Sequence, residues 1–271
     1  GEYNFRYEYK GDSIDLWLPS DLDNDTTYMI VFNTNLKDEH GVRLKKDIII
    51  PFSRKAIFDS NTIQGNIFGD FNSAFILLWF NHLDKDFMLN QPPDYVLNAS
   101  SNSSYKFNFL PKKDFSILAV EQYGSNINYE EKPFSFYRKN QLSLKDGSLD
   151  NINFYLHKMK NEENEDSEEK NDTNDEKNIK TATLTGEVSG NFIHPISLIL
   201  KNKKNEYSNT IQIDGSYILD GILEGEYQLL IYEDRNNNSV FDMGSFTANE
   251  FAERFASHIG SNEYISSNPC P

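Results

Sequence analysis

The sequence predicts an all-β chain built as tandem β-sandwiches, and three observations lead there. Its apolar runs are filled by β-branched and aromatic residues, with 20 Phe and 15 Tyr among 271 residues, the composition that suits a pleated, half-buried surface. Short period-2 runs recur between Gly, Asn and Asp turns at the spacing of sandwich strands. One apolar rhythm also occurs twice. Ile63-Gln64-Gly65-Asn66-Ile67-Phe68-Gly69 is echoed by Leu184-Thr185-Gly186-Glu187-Val188-Ser189-Gly190, and Phe115–Glu121 by Tyr227–Glu233. The offset is 121 positions for the first pair (184 − 63) and 112 for the second (227 − 115), so the copies differ by a loop deletion between them.

Taken in order, residues 1–57 read as part of a small sandwich. Phe5, Tyr7 and Tyr9 alternate with polar residues, as do Ile14, Leu16 and Leu18 after the Lys10-Gly11-Asp12 turn. The Thr26–Phe32 and Ile48–Phe52 runs follow. The chain opens inside the expected Tyr3–Tyr9 strand, so further strands of this module are expected upstream. Residues 61–157 form the first repeat, with strands expected at Thr62–Phe68, Ala74–Phe80, Tyr95–Asn98, Ser104–Phe109, Phe115–Val120 and Ile152–Leu156. Residues 158–180 contain a run of Glu, Asp, Asn and Lys with no aromatic residue between Lys160 and Lys180, which reads as a disordered acidic linker. Residues 181–271 form the second repeat, with strands expected at Thr183–Val188, Ile196–Lys201, Ser208–Ile213, Ser216–Leu219 and Tyr227–Tyr232. Asp214-Gly215 is a hairpin signal. Ala248, Phe251, Ala252 and Phe255 fall on one face of an expected short helix over Thr247–Ser257.

Composition narrows the function classes. A formal net charge of −16 and a pI near 4.7 disfavour a nucleic-acid partner or an anionic membrane surface. The single cysteine, Cys270, allows neither an intrachain disulfide nor a cysteine zinc site. No run reaches the about 20 apolar residues of a membrane-spanning helix. His40, His82, His157, His194 and His258 have no paired metal-ligand spacing, and no nucleophile elbow, zincin motif or P-loop occurs. Trp79 lies in a continuously apolar run and is expected in the core.

One loop carries candidate chemistry. In Asp234-Arg235-Asn236-Asn237-Asn238-Ser239-Val240-Phe241-Asp242, the side chains of Asp234, Asn236, Asn238 and Asp242 and the carbonyl of Val240 occupy positions one, three, five, nine and seven. Alternate oxygens of this kind suit a hard cation such as Ca²⁺, which takes 6 to 8 of them. An EF-hand would place Gly at position six and Glu at twelve. Ser239 and Ser245 stand there and a strand precedes the loop, so an EF-hand is rejected. A looser calcium loop helped by Glu233, Glu250 or Glu253, and a purely structural Asx-rich turn, both fit. The first repeat has Gln122 and Gly124 at the equivalent positions, so the oxygens are not needed for the fold.

Two resemblances follow. Asn24-Asp25-Thr26-Thr27-Tyr28, then Leu36-Lys37-Asp38-Glu39-His40-Gly41-Val42 and Ile50-Pro51-Phe52-Ser53, resemble the bacterial Ig-like domain of S-layer type, with His40-Gly41-Val42 replacing the usual Gly-Asn turn. The order Gly-x-Val, apolar strand, Asp214-Gly215-x-Tyr217, Leu223-x-Gly225-x-Tyr227, apolar strand resembles the carboxypeptidase-regulatory-like, transthyretin-like (prealbumin-like) sandwich. Together they resemble Ig-like-domain lipoproteins of Bacteroidetes-type cell envelopes. The resemblance implies a non-enzymatic, extracytoplasmic binding or scaffolding module, lipid-anchored at the outer membrane or cell surface, with an envelope protein or a glycan as partner. The alternative is an accessory carbohydrate-binding region of a polysaccharide-processing enzyme or uptake system.

Overall fold

The computed structural model describes residues 6–32, 34–45, 47–81, 88, 91–99, 103–124, 132–139, 141–156, 181–246, 250–257 and 263–265. The acidic linker expected at 158–180 and Cys270 lie outside them. The described chain is all-β, in several sheets consistent with tandem sandwiches.

The amino-terminal segment forms two ribbons. β1 (Arg6–Lys10) pairs with β2 (Ser13–Trp17), and β3 (Thr27–Phe32) with β4 (Ile48–Ser53). The register places Tyr7 opposite Leu16 and Tyr9 opposite Ile14, so the first ribbon has one apolar face. Tyr7, Tyr9, Val31, Ile48 and Ile50 are exposed, and of the described residues before 58 only Leu22 and Thr27 are buried.

The first repeat is a two-layer sandwich. One layer is β12-β5-β8, made of β5 (Asn61–Gly69), β8 (Ser104–Leu110) and β12 (Phe154–Leu156). The other is β10-β9-β6-β7, made of β6 (Phe75–Phe80), β7 (Tyr95–Asn98), β9 (Asp114–Val120) and β10 (Phe134–Phe136), with β11 (Leu142–Ser143) also on β9. Ile63, Ile76, Leu78, Phe107, Phe115 and Phe154 lie in the core between the layers. β12 runs parallel to β5, and its approach explains the glycines of the repeat's opening strand. A Cβ on Gly65 would sit 1.9 Å from the Ile152 carbonyl oxygen, and one on Gly69 1.8 Å from that of Leu156.

The second repeat keeps the same strand order, with two described strands in its smaller layer where the first has three. β13 (Thr181–Glu187) pairs with β16 (Ser216–Leu223). β14 (Ile196–Lys201), β15 (Glu206–Thr210), β17 (Gly225–Glu233) and β20 (Phe255–Ser257) form the layer β15-β14-β17-β20, with β21 (Glu263–Ile265) also on β17. The order β7-β6-β9-β10 of the first copy therefore matches β15-β14-β17-β20 of the second, and β5-β8 matches β13-β16. The sequence echo is thus a topological duplication.

Two expectations are corrected. The segment assigned to a helix over Thr247–Ser257 contains strands β19 (Glu250–Phe251, paired with β18, Gly244–Ser245) and β20. The Phe251 and Phe255 side chains that suggested a helical stripe instead pack on the first repeat. Asp214-Gly215 makes a tight turn but no hairpin ladder, because β15 joins β14 while β16 crosses to β13.

The repeats share core. Phe246 is wedged between Phe134 and Phe136, 4.7 Å from each ring centroid, over Leu77, Trp79, Leu118 and Val120 on the outer face of the first repeat's larger layer. Nearby, Phe68 and Tyr155 of the first repeat cluster with Leu230, Tyr232 and Phe241 of the second, with Phe255 packed against them. The Phe136 amide donates to the Met243 carbonyl (2.9 Å). The unbroken apolar runs of β6 and β9 follow from this: one face fills the sandwich and the other fills the joint.

The close approach at Gly65 gives a direct test. Gly65→Ala should destabilise the chain by about 3 kcal/mol, because the obstructing atom is backbone and cannot turn aside; a urea midpoint shift of the corresponding size would confirm it. Tyr155 tests the joint. Its side chain is 2 % exposed and its hydroxyl has no hydrogen-bond partner among the described residues. Tyr155→Phe should therefore raise stability by about 1 kcal/mol, since it removes an unsatisfied buried group at little cost in volume.

Candidate functional site at the Asp234 to Asp242 loop

β17 ends at Glu233 and delivers Asp234 to the head of the loop, where its amide donates to the Pro195 carbonyl (2.9 Å). The Asp234 side chain is buried. Its Oδ1 accepts from the Asn238 amide (3.1 Å) and its Oδ2 from the Ser239 amide (2.8 Å). Asn236 Oδ1 also accepts from the Asn238 amide (3.1 Å), and Asn238 Oδ1 from the Val240 amide (2.8 Å). Asn236 Nδ2 donates to Asp242 Oδ2 (2.8 Å). Asn237 and Ser239 have φ of 58° and 60°, left-handed conformations that Asn and Ser tolerate better than branched residues. Ser239 thus makes at position six the bend for which an EF-hand loop uses Gly.

The loop is closed by a residue that the sequence placed only among three helpers. Glu253 is buried, and its Oε1 accepts from the Arg235 amide (2.7 Å) while its Oε2 accepts from the Asp242 amide (3.1 Å). Its own amide donates to the Asp242 carbonyl (2.9 Å). One carboxylate therefore ties both ends of the loop. Burial, reinforced by the charges of Asp242 and Asp234, raises the Glu253 pKa against the lowering effect of the two amide bonds. Asp242 is raised too, chiefly by burial, then by Glu250 and Asp234 against the Asn236 bond and Arg235.

Glu233 has a different task. Its Oε1 accepts from the amides of Ile193 (2.7 Å) and His194 (3.0 Å). The equivalent Glu121 accepts through Oε1 from the Asn72 amide (2.9 Å), and 72 and 193 differ by the same 121 as the opening strands. In both repeats a glutamate at the end of this strand holds the turn before the neighbouring strand. The glutamate itself was present in the sequence as the echo Glu121/Glu233, at the 112 offset of the later strands.

As the side chains stand, no three Asp, Glu, His or Cys groups among the described residues are gathered to hold a metal ion. The loop brings Asp234, Asn236, Asn238 and Asp242 together, Glu253 joins them and Glu233 does not. Val240 points its side chain to solvent. The first repeat's equivalent loop lies mostly outside the described residues.

No protein-family model and no curated protein matches the sequence. Among solved structures, a streptococcal ancillary pilin is similar at 10 % identity and a TM-score of 0.23, over 97 % of this chain and 78 % of that one. The Bacillus anthracis TIE protein is similar at 10 % identity and 0.23, over 93 % and 43 %. The minor pilin GBS52 of Streptococcus agalactiae is similar at 11 % identity and 0.20, over 78 % and 99 %. These likenesses are loose, and the β-sandwich architecture rests on the strand pairing of this chain.

The tyrosines beneath the loop set the response to alkali. Tyr232 is pushed up to about 12, by burial first, with a lowering contribution from Ser197 and raising ones from Asp234, Glu253 and Asp242. Tyr155 is raised further, by burial and then by Glu206 and Asp70. Below the ordinary tyrosine value of 10 folded and unfolded chains both keep these protons; above it the unfolded chain releases them first. Stability should therefore be intact up to about pH 10 and fall as pH climbs through about 12. Phenolate absorbance should show a late, steep step coincident with loss of aromatic circular dichroism.

Proposed function

We propose that the chain is a non-enzymatic binding or scaffolding part of a bacterial cell-envelope protein, extracytoplasmic and lipid-anchored. The observation that carries this reading is the inter-repeat joint. Two sandwiches that could each bury their own core also bury a shared one, which holds them in one relative orientation, as a spacer or platform requires. The acidic surface suits a secreted or envelope setting without a nucleic-acid partner, and no helix among the described residues is long and apolar enough to cross a membrane. The apolar ribbon face with Tyr7 and Tyr9 offers surface to a protein partner.

A second reading is favoured by one feature. Between the amino-terminal ribbon and the first repeat lies a cleft of about 490 Å³, where Tyr28, Phe80 and Tyr95 meet Asp23, Asp94 and Lys113. Aromatic rings beside carboxylates suit the apolar faces and hydroxyls of a sugar, as an accessory carbohydrate-binding region requires.

The immobilised chain should capture a specific protein from envelope extracts and bind no glycan saturably. Saturable binding to a defined glycan, weakened by Tyr95→Ala, would instead establish the second reading. Turnover of a substrate, lost on replacing one carboxylate, would overturn both. The joint has its own test. Phe246→Ala should cost about 3 to 5 kcal/mol and split a single melting transition into two, as followed by calorimetry.

A further inference from the structure

We propose that the Asp234–Asp242 loop, closed by Glu253, is a binding site for one calcium-type divalent cation seated over Tyr232. Three independent features converge on it. The first is donor supply. Asp234 Oδ1, Asn236 Oδ1 and Asn238 Oδ1 each accept one backbone amide and keep a second lone pair. With the Val240 carbonyl, Asp242 and Glu253, the loop offers the 6 or more oxygens of a calcium shell, and Glu253 takes the place that an EF-hand gives to its twelfth residue.

The second feature is charge. Asp234 and Glu253 are each 1 % exposed and Asp242 stands beside them. The local cations are accounted for: the Arg235 guanidinium acts on Asp242 but donates to the Phe251 carbonyl, and Arg254 donates to the Asn191 carbonyl. Buried carboxylates held together are unfavourable, and a divalent ion reverses the sign of their interaction.

The third feature lies beneath the loop. Tyr232 is 1 % exposed, and among the described residues its hydroxyl faces only the Ser197 hydroxyl and makes no hydrogen bond of good geometry. It sits below Asp234 beside Ser197, whose own hydroxyl reaches Asp234 Oδ2 at 3.5 Å. A buried hydroxyl so poorly paired at the floor of an acidic loop marks a position for a further polar occupant. Binding requires Asp242 and Glu253 to turn toward the ion, exchanging their present bonds to Asn236 Nδ2 and to the Arg235 and Asp242 amides for its coordination. Phe241, between Val240 and Asp242, packs on Tyr155, Tyr232 and Phe255 at 5.3, 5.6 and 5.5 Å, so an ion here would also tighten the joint.

The test uses the full chain freed of metal by chelator, titrated with calcium chloride by calorimetry and with terbium by tyrosine-sensitised emission. One saturable calcium site is expected, with a dissociation constant on the order of 10⁻⁴ M or tighter, and calcium should displace terbium. Asp242→Asn should weaken calcium at least tenfold, and Asp234→Asn should do the same if circular dichroism shows it folded. Asp214→Asn, in a turn outside the loop, should leave binding unchanged. Tyr232→Phe should keep the calcium heat while cutting terbium emission several-fold. Absence of saturable binding, or binding that Asp242→Asn leaves intact, overturns the site. Undiminished terbium emission in Tyr232→Phe overturns its placement.

Discussion

The structure depends most on the shared aromatic core between its repeats. Phe246 lies between Phe134 and Phe136, and a few residues away Phe241 and Phe255 meet Phe68 and Tyr155. Aromatic pairs at these separations contribute beyond the area they bury. They also explain why the chain after β17 forms very short strands. Between Phe241 and Phe255 the backbone must place four rings on another module within 15 residues, and pairs of two or three residues suffice to pin it. Stability, relative orientation and the candidate loop are therefore joined at one place.

Much of the fold was legible in the sequence because the sheet unit occurs twice. The Ile63/Leu184 and Phe115/Tyr227 echoes report equivalent strands with the same neighbours. What could not be read is what one copy does to the other. The apolar run through Leu77, Leu78 and Trp79 signals burial but not by what, and only the structure separates its sandwich face from its joint face. The helix expected at Thr247–Ser257 failed for the same reason. Phe251 and Phe255 are four apart, and a helical stripe and two strand fragments docking on one aromatic surface leave the same spacing. Strands as short as β18 and β19 carry too few residues for a period.

The two copies also separate what the fold requires from what it permits. Glu121 and Glu233 perform the same bond from the end of equivalent strands, so that glutamate belongs to the sheet unit. Gly65 and Gly186 share a motif position but answer to different neighbours: the Ile152 backbone in the first copy, the Tyr217 ring in the second. Among the described residues no strand of the second copy takes the place of β12 beside β13. The oxygen-rich loop falls in the same permissive class, since Gln122 and Gly124 replace its leading ligands without loss of the strand before it.

Loop and joint also explain each other. The loop residues were legible as oxygen donors, but Glu253 could be named only as one of three helpers, because its distance of 11 from Asp242 matches no local motif; it arrives through the return of the chain past Phe246 and Phe251. Had that return been a helix, the Arg235 and Asp242 amides would lack their shared acceptor. The aromatic contacts that fix Phe246 and Phe255 therefore also fix Glu253, and a buried carboxylate can be kept at the loop because both its oxygens are engaged there. In this chain polar closure of the loop is a consequence of apolar packing between the repeats, and any change at one should be felt at the other.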